Sequence, residues 1–393
     1  MMAEKFEINV DQSILDDLKS RLHTTRWPDE INNSNWEYGA NEMRLKALCA
    51  YWENGFDWRR QEAHLNSFPQ YKAAIDGIDL HFIHVKGKGE RSIPLLLTHG
   101  WPDSFVRFLK IIPLLTVADP NGFSFDVVVP SIPGFGFSGI PKKPGMNPEK
   151  IAGLFNRLMT HELGYEKYAA HGGDWGSIIT EQLAQNHTDH ILGIHLTDIP
   201  FRHLFDIPAK ELTQDEKDYM ETGQKWSQTE GAYAMIQSTK PQTLAYGLND
   251  SPAGLAGWII EKFYRWSDNH GKLENSFTDD ELLTNLTIYW ATQTINAANR
   301  LYFETQQTLL QNQESPLPDE LKKAQQESRY KVPAAVAIFP KDLIAAPRAF
   351  AERIFNIQRW TVMKEGGHFA AMEKPLLLAQ DIREFVTTTL QNK

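Results

Sequence analysis

The pentapeptide Gly172-Gly173-Asp174-Trp175-Gly176 follows a short apolar run, Tyr168 to Ala170. It has the glycine–x–nucleophile–x–glycine form of a strand-to-helix turn that presents a reactive side chain. Flanking glycines let the backbone turn tightly without a Cβ clash. The reactive position carries Asp rather than Ser, and that choice determines the chemistry. A carboxylate attacking an acyl carbon would form a high-energy anhydride. A carboxylate attacking a saturated carbon forms an ordinary alkyl ester, which water can then hydrolyse. The electrophiles that fit are epoxides and alkyl halides. On the pentapeptide alone, an ordinary turn Asp capping the next helix is an equally good reading.

Other residues supply the rest of such a reaction. Gly366-Gly367-His368-Phe369 follows the apolar run Trp360 to Met363, and a late histidine is what the chain order nucleophile, acid, histidine requires. His368 is therefore the candidate base that takes a proton from water attacking the ester. A late histidine among 13 is a weak signal by itself; its place after a strand and two glycines strengthens it. Asp342, in Phe339-Pro340-Lys341-Asp342, lies 26 residues before His368 and directly after another apolar run. It is placed to orient the imidazole and stabilise its charged form. In His99-Gly100-Trp101-Pro102, the Trp101 backbone N–H can join that of Trp175 in an oxyanion hole; the His99 side chain is read as structural. Opening an epoxide leaves an alkoxide, to which a tyrosine phenol of pKa about 10 can donate. With 12 tyrosines present, composition does not select the donor. Tyr302 shares an apolar helical face with Ile288, Ala291, Ile295 and Ala298, a pattern that reads as core.

These residues need elements to position them. Residues 1–80 read as mostly helical. Ser13 with Asp16 resembles a helix-start box, with Ile14, Leu15, Leu18 and Leu22 at helical spacing and Trp27-Pro28 beyond the end. A second helical pattern runs from Glu42 to Glu53. From residue 81, apolar runs alternate with helical patterns such as Pro148 to Leu163. The runs are Pro94–Leu97, Val127–Val129, Tyr168–Ala170, Ile191–Leu196, Ala334–Phe339 and Trp360–Met363. Such runs suit strands buried on both faces of a mostly parallel sheet, an α/β class. Residues 198–330 interrupt the alternation with helical pattern only, and read as a lid over the carboxyl ends of the strands. The polar stretch Gln311 to Lys331 would return the chain to the sheet. The expected organisation is a helical N-terminal segment (1–80), a core of α/β-hydrolase type (81–197 and 331–393) and a helical lid (198–330).

Composition narrows the partners. The chain has 393 residues, 41% of them hydrophobic, and a net charge of −10 without any clustered Lys/Arg tract. A nucleic-acid or anionic-membrane partner is not expected. The single cysteine, Cys49, excludes an internal disulfide framework and reads as a buried small apolar residue. Met1 to Val10 lacks an apolar stretch of signal-peptide length, and no apolar run reaches about 18 residues. A soluble cytoplasmic protein is the default, and a homodimer is compatible with it. His187 and His190 lack a metal-site context, so no metal is expected, and the chemistry calls for no organic cofactor.

Taken together, the motifs resemble those of the microsomal-type epoxide hydrolases and their soluble bacterial and fungal relatives, over nearly the whole length. The N-terminal region carries Thr25-Arg26-Trp27-Pro28-Asp29, Phe56-Asp57-Trp58-Arg59, Phe68-Pro69-Gln70 and Ile75-Asp76-Gly77. The core adds Pro133-Gly134-Phe135-Gly136-Phe137-Ser138, and the end reads Gly366-Gly367-His368-Phe369-Ala370-Ala371-Met372-Glu373. The lid carries Gly231-Ala232-Tyr233, Gln237-Ser238-Thr239-Lys240-Pro241 and Leu248-Asn249-Asp250-Ser251-Pro252. The resemblance implies Tyr233 and Tyr302 as the two donors to the epoxide oxygen, against the core reading of Tyr302. Family members have Glu or Asp at the acid position; Asp342 fits. It also implies small hydrophobic epoxides and water as substrates, and a form without the N-terminal membrane anchor of some members. Two alternatives stand beside it: a hydrolytic dehalogenase on the same scaffold, which would need halide donors, and a catalytically silent binding protein.

Overall fold

The computed structural model describes residues 3–31, 35–207, 209–315 and 318–390. The outermost residues of the N-terminal segment and of the core, positions 32–34, and positions 208 and 316–317 of the expected lid lie outside the described residues.

The six apolar runs form six parallel strands: β4 (Arg91–Thr98), β5 (Phe123–Pro130), β6 (Tyr168–Gly172), β7 (Ile191–Leu196), β8 (Pro333–Ile338) and β9 (Asn356–Val362). Every residue of β5, β6 and β8 is buried, as expected for strands covered by helices on both faces. Three further strands extend the sheet: β1 (Glu4–Phe6), β2 (Gln70–Ile75) and β3 (Ile78–Val85). Among the described residues the sheet order is β1-β2-β3-β5-β4-β6-β7-β8-β9, with the first three strands joined antiparallel to β5.

Helices make up the larger part of the regular structure in the N-terminal segment, as expected; these three strands are the part that the sequence reading passed over. β2 and β3 form a hairpin closed by Asp76-Gly77, whose φ values of 51° and 78° are those of a tight turn with both central residues left-handed. Asp-Gly is a strong short-range hairpin signal, and Ala73, Ile75, Ile78, Leu80 and Phe82 are the buried positions beside it. The first helix also starts differently. It spans Gln12–His23 and is capped by Asp11, whose side chain accepts the Ser13 N–H; Asp16 is engaged by Gln12. Asp11 stands immediately before the first helical residue, so it reaches the free N–H groups of the first turn, which Ser13 inside that turn cannot do.

The remaining N-terminal helices, Glu42–Asn54 and Trp58–Asn66, pack on cap helices Pro252–Arg265 and Asp279–Thr292. The Trp52 indole donates to Thr287 Oγ1 at 2.9 Å in the buried seam, and Arg44 is ion-paired with Asp279. The regular elements in the described part of 198–330 are all helical, among them Gln214–Thr229, Ala232–Thr239, Pro241–Leu248 and Ile295–Glu314. The helix Asp319–Lys331 packs beside Trp175–Asn186, which brings the chain back to the sheet at β8. No helix among the described residues is long and apolar enough to cross a membrane. Cys49 is buried, and burial pushes its thiol up to about 12.

Candidate active site

Asp174 sits where β6 turns into the helix Trp175–Asn186. Its backbone has φ 58° and ψ −128°, a conformation that non-glycine residues adopt only when their surroundings hold them there. The hold is visible. The Asp174 N–H donates to Asp198 Oδ1 at 2.8 Å, and the Ser177 hydroxyl donates to the same oxygen at 2.6 Å. Gly176 passes so close to β4 that a Cβ there would lie 2.0 Å from the Thr98 carbonyl oxygen, so only glycine fits. The Trp101 N–H donates to Asp174 Oδ1 at 2.9 Å. Among the described residues it is the one backbone group bonded to this carboxylate; Trp175 begins the following helix. Burial favours the neutral acid, but His368, the Trp101 amide and the Arg107 charge together hold Asp174 below its ordinary value.

His368 and Asp342 come from the loops after β9 and β8. His368 Nδ1 is 2.7 Å from Asp342 Oδ1, and His368 Nε2 faces Asp174 Oδ2 at 3.4 Å. The imidazole thus bridges the two carboxylates, with its distal nitrogen aimed at the elbow. Burial opposes a charge on His368, yet the charge of Asp342 and the contact with Asp174 outweigh it and lift the imidazole to about 10.

Tyr233 and Tyr302 close the site from the cap. They lie on separate cap helices, their ring centroids 5.9 Å apart and nearly perpendicular. Tyr233 stacks on Trp101 at 5.0 Å, and Tyr302 stands edge-on to Trp175 at 4.7 Å. Both are buried beside Asp174, and burial together with that negative charge raises both phenols, which keeps them protonated donors. Asp174, Trp175, Tyr233 and Tyr302, with Asp342 and His368, line one cavity of about 260 Å³ whose other walls include Ile178, Ile199, Tyr219, Trp226 and Leu343. The structure therefore brings together Asp174, His368, Asp342, Tyr233, Tyr302, Trp101 and Trp175. The single face expected from Ile288 to Tyr302 is divided, because Gln293 ends the helix Asp279–Thr292 in a left-handed conformation; Tyr302 shares only the helix Ile295–Glu314 with Ile295 and Ala298, and it borders the cavity. His99 is buried between Gly100 O and the Ile132 N–H, and burial pulls it down to about 4.

Several residues at the site were not picked out from the sequence. Asp198 follows β7 at the carboxyl end of the sheet, and burial with the neighbouring Asp342 charge pushes it up to about 7. Arg107 is buried and ion-paired with Asp103 four residues earlier. Its spacing, Asp103 then Arg107, is a visible i, i+4 pair, but nothing in the spacing says that it lies near Asp174. Glu373 lies just past His368, and burial pushes it up to about 7. Among the described residues there is no group of three or more His, Cys, Asp or Glu side chains arranged to hold a metal ion.

Residues 3–108 match the family model described as epoxide hydrolase N terminus, and residues 93–375 match the model of the alpha/beta hydrolase fold. The chain is 37% identical over 410 residues to epoxide hydrolase 1 of Sus scrofa, covering 97% of this chain and 88% of that protein. The structure of Aspergillus niger epoxide hydrolase superposes with a TM-score of 0.83 at 30% identity, covering 99% of this chain and 97% of that one. Juvenile hormone epoxide hydrolase of Bombyx mori superposes with a TM-score of 0.82 at 30% identity, covering 98% and 93%.

Proposed function

From the premise that this chain belongs to the epoxide hydrolase family, we propose that it converts hydrophobic epoxides to vicinal diols in two steps through an ester of Asp174. In the first step Asp174 Oδ2 attacks an epoxide carbon. The carbon–oxygen bond of the ring breaks, and the oxygen takes a hydrogen bond from each of Tyr233 and Tyr302 and a proton from one of them, which regains it as the His368 imidazolium gives up its own proton. In the second step His368 removes a proton from water, which adds to the ester carbonyl. The Trp101 and Trp175 amides hold the oxyanion, and the tetrahedral intermediate collapses to carboxylate and diol. Asp342 keeps the imidazole oriented and balances its charge.

The observation that carries this reading is the alignment of one imidazole between two carboxylates, 2.7 Å from Asp342 and 3.4 Å from Asp174, under two buried phenols. A phenol pair suits an epoxide oxygen, which must gain a proton. The electrostatics suit the sequence of steps. The negative charge of Asp174 is one of the influences that hold His368 at about 10. Ester formation removes that charge, so the imidazole loses proton affinity at the stage where it must act as a neutral base. The aromatic and aliphatic walls favour a small hydrophobic substrate. A cytoplasmic location belongs to the same proposal, supported by the single thiol, Cys49.

A single turnover of styrene oxide in water enriched in heavy oxygen tests the reading. The label is expected in the Asp174 side chain first and in the diol only in later turnovers. Label passing directly into the first diol, with an unlabelled protein, would overturn it.

A further inference from the structure

The histidine loop is held by the cap as well as by the sheet. The cap helix Pro252–Arg265 ends at Trp266, and the residues after it run along the loop that carries His368. The Trp266 carbonyl accepts the His368 N–H at 2.8 Å, and Asp268 Oδ2 accepts the Gly366 N–H at 2.9 Å. Glu373 closes the contact from the other side. Its Oε2 accepts the Asp268 N–H at 2.7 Å and its Oε1 accepts the Phe369 N–H at 3.0 Å. One carboxyl group therefore ties an amide of the cap to the amide that follows His368. The fit leaves no room at Gly367, where a Cβ would lie 2.7 Å from the Trp266 carbonyl oxygen and 2.9 Å from the Asp268 nitrogen. The Trp266 ring then stands edge-on to His368 at 5.3 Å and tilted against Tyr233 at 5.2 Å. One cap segment thus touches both the base and an oxygen donor.

We propose that Glu373 is a positioning residue for His368, fastening the histidine loop to the cap through the Asp268 and Phe369 amides and so setting the rate of ester hydrolysis rather than of ring opening. The inference rests on the two-step reading above. Its physical basis is that a carboxyl accepting two backbone N–H groups fixes both in place, while a displacement of about 1 Å in a general base is enough to cost about a hundredfold in rate. Ring opening uses Asp174, Tyr233 and Tyr302, none of which is bonded to Glu373, and is left almost untouched.

The test follows ester formation and ester decay separately, by stopped-flow fluorescence and intact mass with styrene oxide, in Glu373→Ala, Glu373→Gln and Asp268→Ala. Decay is expected to slow about tenfold or more in Glu373→Ala while formation changes less than about twofold, so that the protein adduct accumulates in the steady state. Asp268→Ala keeps the amide that Glu373 holds but removes the carboxylate that holds the Gly366 N–H, the second tie between cap and histidine loop, so it is expected to slow decay as well, and the double variant to decay more slowly than either single one. Glu373→Gln keeps the shape and one good acceptor, and its slowing is expected to be intermediate. Formation and decay falling together, or unchanged decay in folded Glu373→Gln, would overturn the proposal. His368→Gln separates this from the underlying reading. If it accumulates no adduct, the two-step reading fails; if it does and the Glu373 variants do not, only the clasp fails.

Discussion

The two halves of the active site are built on different principles. The sheet half, Asp174, Asp342 and His368, hangs from the ends of β6, β8 and β9, and each residue's position follows from a short turn after a strand, buried in β6 and β8 and only half-buried in β9 at the edge of the sheet. The cap half, Tyr233 and Tyr302, comes from helices that owe their positions to packing against one another and against Trp101 and Trp175. A strand end with its glycines has few ways to place a side chain. A helix can rotate or slide and still satisfy its own backbone. The sheet half is thus fixed locally, and the cap half only by contacts between elements distant in sequence.

The comparison predicts separable losses. The largest is in the sheet half. Asp174→Ala is expected to abolish turnover, a loss of about 10⁴-fold or more in kcat, because in the proposed reaction no other group makes the ester. His368→Gln is expected to lose turnover to a similar extent but to retain ester formation, seen as an adduct by intact mass. If His368→Gln also lost ester formation, the division of steps between the residues would be wrong.

In the cap half, Tyr233→Phe and Tyr302→Phe are each expected to slow ring opening by about 10- to 100-fold, since each removes one donor to a developing oxyanion, with ester decay unchanged. A single-turnover trace resolves the two rates. Equal slowing of both would mean that the tyrosines shape the cap rather than serve the oxygen.

A smaller effect concerns stability. Asp198 is held near 7 instead of its ordinary 3.8. As pH rises through the window from about 4 to about 7, the unfolded chain gives up this proton while the folded chain retains it. The group therefore makes stability fall with pH across that window. Asp198→Asn keeps an acceptor for the Asp174 and Ser177 donors and removes the titration. Its melting temperature relative to the parent is expected to rise by roughly 2 °C or more between pH 4.5 and pH 7.5. A constant difference across the window would show that Asp198 is not the group responsible.

At the seam between N-terminal helices and cap, Thr287→Val removes the acceptor of the buried Trp52 indole. A loss of about 1–3 kcal/mol is expected by chemical denaturation, with the ester decay rate unaffected. A selective fall in ring opening here would show that the N-terminal helices tune the donor half through the cap.

Sequence alone determined a good deal. Six strands, the elbow, the late histidine and its acid were legible because each is a short-range pattern: a buried apolar run followed by a turn with its own steric demand. The helical character of the cap was legible from periodicity. The same local reading mistook part of the N-terminal segment, where β2 and β3 were passed over although Asp76-Gly77 marks their turn. It read Tyr302 as core, which its burial bears out, but did not show that the same ring lines the cavity, since an apolar helical face looks the same in both settings. Resemblance of motifs, rather than spacing, singled out that tyrosine.

What only the tertiary structure decided is which distant groups meet. The Asp174 amide finds Asp198, Arg107 lies beneath the elbow, and Glu373 reaches across to Asp268 of the cap. None of these pairings follows from spacing along the chain. The physical reason is that hydrogen bonds and buried charges act over a few ångströms of space, and the register of cap on sheet that supplies those distances is set by the summed packing of many side chains.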